Sequence, residues 1–300
     1  MTKSNKIKTP FSRKLFVVLN STLLIGLCVS ILLPFMRILA ISLSGRGAVL
    51  RGEVGFLPRD FTFDAYIMLV ENGAMFTAYR NTLFIVGVGT IVNLVLQACA
   101  AYVISKPYLP GVKFFTGMIV FTLWFGGGMI PTFLVVQGVG LFNSLWALIL
   151  PTAISTFHVI VMRTFFKQLP LELEESALID GCNEIQTLFK IILPLSKPLL
   201  ATIALWIAVF RWNDFTQPLL YIFNRDLFPL QVVLREIVLN NAADAYGLNA
   251  GALVEDLDRN VITQSLQYAV IIFSTLPIML IYPFLQKHFT KGVLLGSVKG

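Results

Sequence analysis

Charge is scarce in this chain. Asp, Glu, Lys and Arg make up 13% of its 300 residues, against 56% hydrophobic residues and a mean hydropathy of +0.79. A soluble domain of this length carries about 25% charged residues to keep its surface in water, so a soluble globular protein is excluded. Cysteine is also rare. Cys28 and Cys99 fall in apolar runs and Cys182 in a polar loop, so there is neither a disulfide framework nor metal-ligand spacing. The two histidines, His158 and His288, stand apart from any nucleophile–base or metal set. Gly126-Gly127-Gly128 lies inside an apolar run with no Lys-Ser/Thr after it, so it is a kink or a close-packing site and not a phosphate cradle. With no nucleotide-binding motif, energy for any work must come from another chain. No short repeat or low-complexity tract appears.

What is abundant is uninterrupted apolar sequence. Six runs, 15–43, 78–104, 114–137, 141–163, 199–222 and 261–286, are each long enough to cross a bilayer as a helix. Internal prolines such as Pro34, Pro131, Pro151 and Pro277 are tolerated better there than in exposed soluble helices. Short alternating segments, the mark of a membrane barrel, are missing. The expected fold is all-α and polytopic with six transmembrane helices. The basic lead before the first run imitates a signal peptide, but the run is too long and lacks a small-x-small cleavage site, so an uncleaved first span is expected.

The charge pattern orients the chain. All 12 lysines, together with Arg13 and Arg163, fall on the side shared by the two termini, and the other side carries arginines balanced by acidic residues. By the positive-inside rule both termini are cytoplasmic. The net charge of +7 is thus a topology signal and not a nucleic-acid patch. The organisation follows: a cytoplasmic lead (1–14), a transmembrane domain (15–287) and a cytoplasmic tail (288–300). Outer segments fall at 44–77, with an aromatic patch at Phe56, Phe61, Phe63 and Tyr66, and at 223–260, amphipathic over Leu230–Leu239 and acidic from Asp244 to Asp258.

The long inner loop, 164–198, has structure of its own. Pro170 suits a helix start, and Glu172, Glu174 and Glu175 favour the positive end of the helix dipole. Gly181 is placed to end that helix and Asn183 to cap the next. Ile185, Leu188, Phe189 and Ile192 then repeat at i, i+3, i+4, i+7, predicting one apolar stripe. Pro194 and Pro198 break the chain before the fifth span. Such a knob can seat in a partner's groove and transmit force.

The order Glu175-Ser176-Ala177, Gly181, Ile191 and Leu193-Pro194 resembles the EAA loop of ABC importer permeases, with Ser176 where Ala is typical. Trp212-Asn213-Asp214-Phe215 with Pro218-Leu219, and the ending Gly-Ser-Val-Lys-Gly, are similar to MalG-type carbohydrate permeases. Ile130-Pro131-Thr132, the run Leu145–Pro151, Met162–Phe166 and Pro229–Glu236 look like the LplC-like branch. The resemblance implies the MetI-like permease fold. It implies ATPase coupling through Glu172, Glu175, Ala177, Asp180, Gly181, Ile185, Phe189, Leu193 and Pro194, and a tail (Lys291, Ser297, Lys299, Gly300) that reaches the ATPases. It further implies a second homologous permease in a heterodimer, two ATPase subunits that bind ATP and Mg, and an extracytoplasmic solute-binding protein. This chain itself would bind no cofactor and catalyse nothing. The setting is the bacterial cytoplasmic membrane and the cargo an oligosaccharide, with uronate fragments such as those of alginate or pectin taken up in that branch.

Arg211, Trp212, Asn213, Asp214, Gln217 and Tyr221 are the densest polar and aromatic set inside a span, and so the substrate-path candidates. Arg211 and Asp214, three apart, are expected to pair on one helix face. Asn81, Asn93, Gln97, Gln137 and Asn143 are weaker path candidates, since buried amides more often hold helices together. Rival readings are an ABC permease for neutral sugars or another solute, an ion-coupled carrier and a membrane enzyme. Asp214 is the only acid in the spans, thin material for an ion relay, and no catalytic cluster is evident.

Overall fold

The computed structural model describes residues 10–71, 73–239 and 264–280. Among these the chain is helical. The only β-type pairing is an isolated bridge between Ser44 and Phe61.

The chain divides into two compact units. The first, residues 1–71 and 237–273, contains α1 (Phe11–Ser42), α2 (Arg46–Leu50) and α3 (Asp64–Glu71). At 32 residues, α1 is about 48 Å long, more than the about 30 Å of hydrocarbon in a bilayer. Its apolar surface is almost wholly unburied within the chain, as a lipid- or partner-facing span requires. The aromatic patch forms locally: Phe61 and Phe63 meet edge to face at 4.9 Å, and Phe63 meets Tyr66 at 6.3 Å. Tyr66 and Ser42 share a hydroxyl bond of 2.8 Å.

The second unit, residues 72–236 and 274–300, is built around α4 (Gly73–Ser105). Every fourth residue along α4 from Asn81 to Ser105 is buried, and all of them except Ile85 (Asn81, Gly89, Asn93, Gln97, Ala101 and Ser105) are small or polar, making one ridge that other segments approach closely. Then come α5 (Val112–Trp124), α6 (Met129–Gly138), α7 (Thr156–Phe166), α8 (Glu172–Ile179), α9 (Glu184–Thr187), α10 (Leu193–Leu195), α11 (Lys197–Asn213), α12 (Thr216–Tyr221) and α13 (Leu230–Leu239). A last helix, α14 (Gln264–Leu280), has residues 264–273 in the first unit and 274–280 in the second.

The expected spans are only partly continuous. Among the described residues, α1 and α4 alone are single helices long and apolar enough to cross a membrane. The run 114–137 is broken at Phe125–Gly128, where α5 and α6 meet at 118° and Gly128 takes a left-handed φ of 86°. The run 141–163 is not one helix: a 3-10 turn at Leu145–Leu148 gives way to irregular backbone through Pro151, and regular helix resumes at Thr156. Proline removes a helical N–H and crowds the preceding turn, so Pro151 opposes continuation. The fifth run ends at Asn213 and restarts at Thr216. Hydropathy registered the apolar character of these segments and not their breaks.

The core of the second unit joins Ala98, Ala101, Tyr102 and Ile104 of α4 to Val159, Met162 and Phe166 of α7, Ile203 and Ile207 of α11, and Leu188 and Ile192 of the inner loop.

Candidate functional site

The inner loop folds largely as its sequence directs. The first turn of α8 holds Glu172, Glu174 and Glu175. It ends in a Schellman motif: Gly181 N–H donates to the Leu178 carbonyl (3.0 Å) and Cys182 N–H to that of Ala177 (2.9 Å), with Gly181 at φ +82°. No atom lies within 4 Å of a Cβ built at Gly181, so dihedral freedom and not close approach demands glycine there. Asn183 makes a full capping box. Its Oδ1 accepts from Gln186 N–H at 2.8 Å and its own N–H donates to Gln186 Oε1 at 3.1 Å.

The apolar stripe is where expectation and structure part. Leu188 and Ile192 are buried in the core, whereas Ile185 and Phe189 are 70% and 45% exposed. A π turn over Leu188–Ile192 accompanies the split, with Leu193 N–H bonded to the Leu188 carbonyl, five residues back. Pro194 has no N–H for the Lys190 carbonyl and its ring would crowd that carbonyl, so widening the turn relieves both conflicts. One stripe becomes two rows: one anchors the loop among α4, α7 and α11, and the other faces outward. The outward face also carries Glu172, Glu175, Leu178, Ile179, Asp180 and Pro194. Leu178 and Ile179 had no signal in the periodicity, because α8 is too short to show one. Ala177 is buried and Leu193 half-buried.

Polar ties absent from the sequence reading fix this loop to α4. Lys106, with its side chain only 5% exposed, forms an ion pair with Glu174 of α8 and lies 4.2 Å over the Tyr102 ring. Glu184 of α9 accepts from Tyr102 Oη (2.8 Å) and Tyr108 Oη (3.1 Å). Burial pushes the Lys106 ammonium below its ordinary range, partly offset by the Glu184 charge, and burial followed by the bond to Glu184 raises the Tyr108 phenol. Arg163 Nε donates to the Ile104 carbonyl at 3.0 Å, tying α7 to the same end of α4. These partners are 59 to 82 positions apart in sequence, beyond the reach of local pattern. Tyr102, Lys106 and Glu184 line an open, largely apolar pocket of about 200 Å³ with Cys99, Val103, Leu109, Ile185 and Leu188.

The substrate-path candidates separate. Arg211 is buried and points at the irregular segment, donating to the carbonyls of Leu148 and Ile149 (the latter at 3.1 Å) and to Thr152 Oγ1 at 3.4 Å. It forms no ion pair with Asp214. The helix ends at Asn213, so i, i+3 geometry fails, and Asp214 Oδ1 instead accepts from the N–H groups of Thr216 (3.0 Å) and Gln217 (3.2 Å). Asn93 donates to the Thr152 carbonyl at 3.2 Å and Gln97 to that of Ala153 at 2.9 Å. Thus Arg211, Asn93 and Gln97 together satisfy carbonyls that a continuous helix would have satisfied itself, the condition for irregular backbone at membrane depth. Trp212 is buried edge-on against Tyr79 at 6.2 Å, and Tyr221 is buried and stacked on Phe133 at 6.1 Å. Asn213 is exposed, and Asp214 and Gln217 are half-buried. The tail residues Lys291, Ser297, Lys299 and Gly300 lie outside the described residues.

Over 287 residues the chain is 43% identical to Protein LplC of Bacillus subtilis (strain 168), covering 96% of each chain. It is 40% identical over 290 residues to the polygalacturonan/rhamnogalacturonan transport system permease protein YtcP of the same organism, covering 96% of this chain and 99% of that one. A chain in the crystal structure of a bacterial ABC transporter involved in the import of the acidic polysaccharide alginate superposes with a TM-score of 0.85 at 32% identity, over 95% of this chain and all of that one. Residues 74–295 match the binding-protein-dependent transport system inner membrane component family. With broken apolar helices and a structured loop packed against α4, α7 and α11, the chain belongs to that family, as a membrane-embedded permease subunit and not an enzyme.

Proposed function

We propose that this chain is one of two permease subunits of an ATP-driven importer for oligosaccharides cut from acidic polysaccharides. The observation that carries the coupling part is the inner loop. Glu172, Glu175, Leu178, Ile179, Ile185 and Phe189 are offered outward while Leu188 and Ile192 of the same segment are seated in the transmembrane core. A partner ATPase that moves the outer face therefore moves α4, α7 and α11 with it. Gly181 shapes the knob, and Ala177, Asp180, Leu193 and Pro194 complete it. The acidic-sugar part is supported by the similarity to the alginate transporter and to YtcP.

In this reading the partners are a second, different permease, two ATPase subunits that hold ATP and Mg, and an extracytoplasmic binding protein. Both termini are cytoplasmic, residues 15–287 form the permease domain, and the tail from 288 reaches the ATPases. ATP binding closes the ATPases and draws the knobs of both permeases inward, which turns the cavity outward to receive sugar. Hydrolysis resets it. Asn213, Asp214 and Gln217 remain path residues, while Arg211, Trp212 and Tyr221 hold the path's walls. The test is ATPase activity of the lipid-reconstituted complex with binding protein loaded with uronate or neutral oligosaccharides. Stimulation by the uronate-loaded protein, lost on Gly181→Asp, is expected. Stimulation by neutral sugars alone would discard the acidic substrate, and no associated ATPase activity would sink the importer.

A further inference from the structure

Gln97 lies eight residues inside the end of α4 at Ser105, about 12 Å along the helix axis and so within hydrocarbon depth. It is fully buried, and its Nε2 donates to the Ala153 carbonyl, which leaves Oε1 as an acceptor. His158 Nδ1 stands 3.1 Å from that Oε1. Only a protonated Nδ1 makes this bond, so the neutral imidazole presents Nε2 as an acceptor. Among the described residues no hydrogen bond reaches Nε2, on a ring that is only half-buried. The ring is stacked on Trp206 (5.6 Å, 25°), and Phe157, 53% exposed, packs against both at 5.6 and 6.0 Å. Thr156, the first residue of α7, shares a hydroxyl bond of 2.9 Å with Thr122 of α5, one turn before the break between α5 and α6.

A ring nitrogen left free to accept at this depth does not face lipid tails, where it could not be satisfied. It borders protein or a water-filled path. Flat aromatic rings with one neutral acceptor at the edge suit a sugar ring: its C–H face lies on the rings and a hydroxyl donates to Nε2. A lone-pair acceptor repels a carboxylate, so the uronate charge points elsewhere. We propose that Phe157, His158 and Trp206 form a pyranose subsite on the transport path, with His158 Nε2 accepting from a sugar hydroxyl. This rests on the carbohydrate reading above.

The test uses the whole transporter in proteoliposomes, with its partner permease, ATPases and binding protein, loaded in parallel with a radiolabelled uronate and a neutral trisaccharide. The readout is sugar imported per ATP hydrolysed. His158→Asn keeps the donor to Gln97 and removes the acceptor at the Nε2 position. The ratio is expected to fall about fivefold, the worth of one hydrogen bond, with ATPase stimulation near wild type. His158→Gln, whose longer amide reaches the Nε2 position, recovers part of it, and Trp206→Leu lowers it as well. An unchanged ratio in His158→Asn and Trp206→Leu, with wild-type import intact, overturns the subsite alone. Parallel loss of ATPase stimulation and import in both variants marks a packing or partner-permease contact and also overturns it. Import of neither sugar by the wild type removes the carbohydrate reading, and the subsite with it.

Discussion

Breaking the Lys106–Glu174 pair is expected to free α8 from the end of α4. Lys106 is 5% exposed and Glu174 15%, so neither charge has much water to fall back on. Removing one partner of a buried pair costs about 3–5 kcal/mol, because the other charge is left uncompensated, while an exposed pair is worth about 0–1 kcal/mol. The site is at a loop, so the cost should appear as local opening of Glu172–Ile179 and not as global unfolding. At about 1.4 kcal/mol per tenfold, Lys106→Met and Glu174→Gln should each speed amide exchange in α8 by about 10² to 4 × 10³. The double variant Lys106→Met/Glu174→Leu replaces the pair by apolar groups and should return exchange to within about tenfold of wild type. Exchange followed by mass spectrometry on the four proteins closes a double-mutant cycle. Two single variants within a factor of five of wild type would show a solvated pair that anchors nothing.

Three shorter expectations follow. Gly181→Ala forces an L side chain to φ +82° and should cost about 1–2 kcal/mol in the loop, lowering binding-protein-stimulated ATPase activity, with Gly181→Asn milder because Asn tolerates that conformation. At Gly89 a Cβ would stand 2.8 Å from Arg211 Nε and 3.0 Å from its Cδ, so Gly89→Val should abolish assembly of the complex on a sizing column, and normal assembly would contradict the close approach. Glu53 is held below its ordinary value of 4.5 first by the hydrogen bond from Arg51. A depressed carboxylate stabilises above its unfolded pKa, so amide protection at Gly52–Glu53 should persist above pH 4.5 and fade as the pH drops below it, and Arg51→Gln should flatten that dependence.

Local chemistry was legible wherever it acts within a few residues. The Schellman turn at Gly181, the cap at Asn183 and the acidic start of α8 all follow from short-range rules, and the structure realises them. What escaped depends on partners distant in the chain. Lys106 met Glu174, Arg211 met Leu148 and Ile149 in place of Asp214, and His158 met Gln97 and Trp206 despite its isolation in sequence. Hydropathy also hid the breaks at Phe125–Gly128 and around Pro151, because residues lining a broken helix are as apolar as those of an intact one. Asn93 and Gln97 of α4, weaker path candidates in the sequence, hold the carbonyls of the irregular segment, and Asn81 holds those of Asp226 and Phe228.

The π turn gives the last prediction its force. Pro194 denies the Lys190 carbonyl a donor, and the chain answers with a five-residue hydrogen bond from Leu193 to Leu188. It then bends 87° between the segment Glu184–Leu195 and α11, with Ser196 Oγ bonded back to the Ile192 carbonyl at 2.7 Å. Pro194→Ala restores the missing N–H and allows an ordinary helical turn. Closing that turn removes one residue from the bonded ring and rotates the preceding helix, so Ile185 and Phe189 can keep their outward direction only if Leu188 and Ile192 leave the core. Local stability should hold or rise, because a backbone bond is gained. Stimulated ATPase activity should fall several-fold, because the outward row no longer fits its partner while the anchor stays. A stable Pro194→Ala complex with wild-type stimulation would show that the division of the stripe does not depend on the π turn, and the account of how this loop both grips and docks would have to be rebuilt around Ser196.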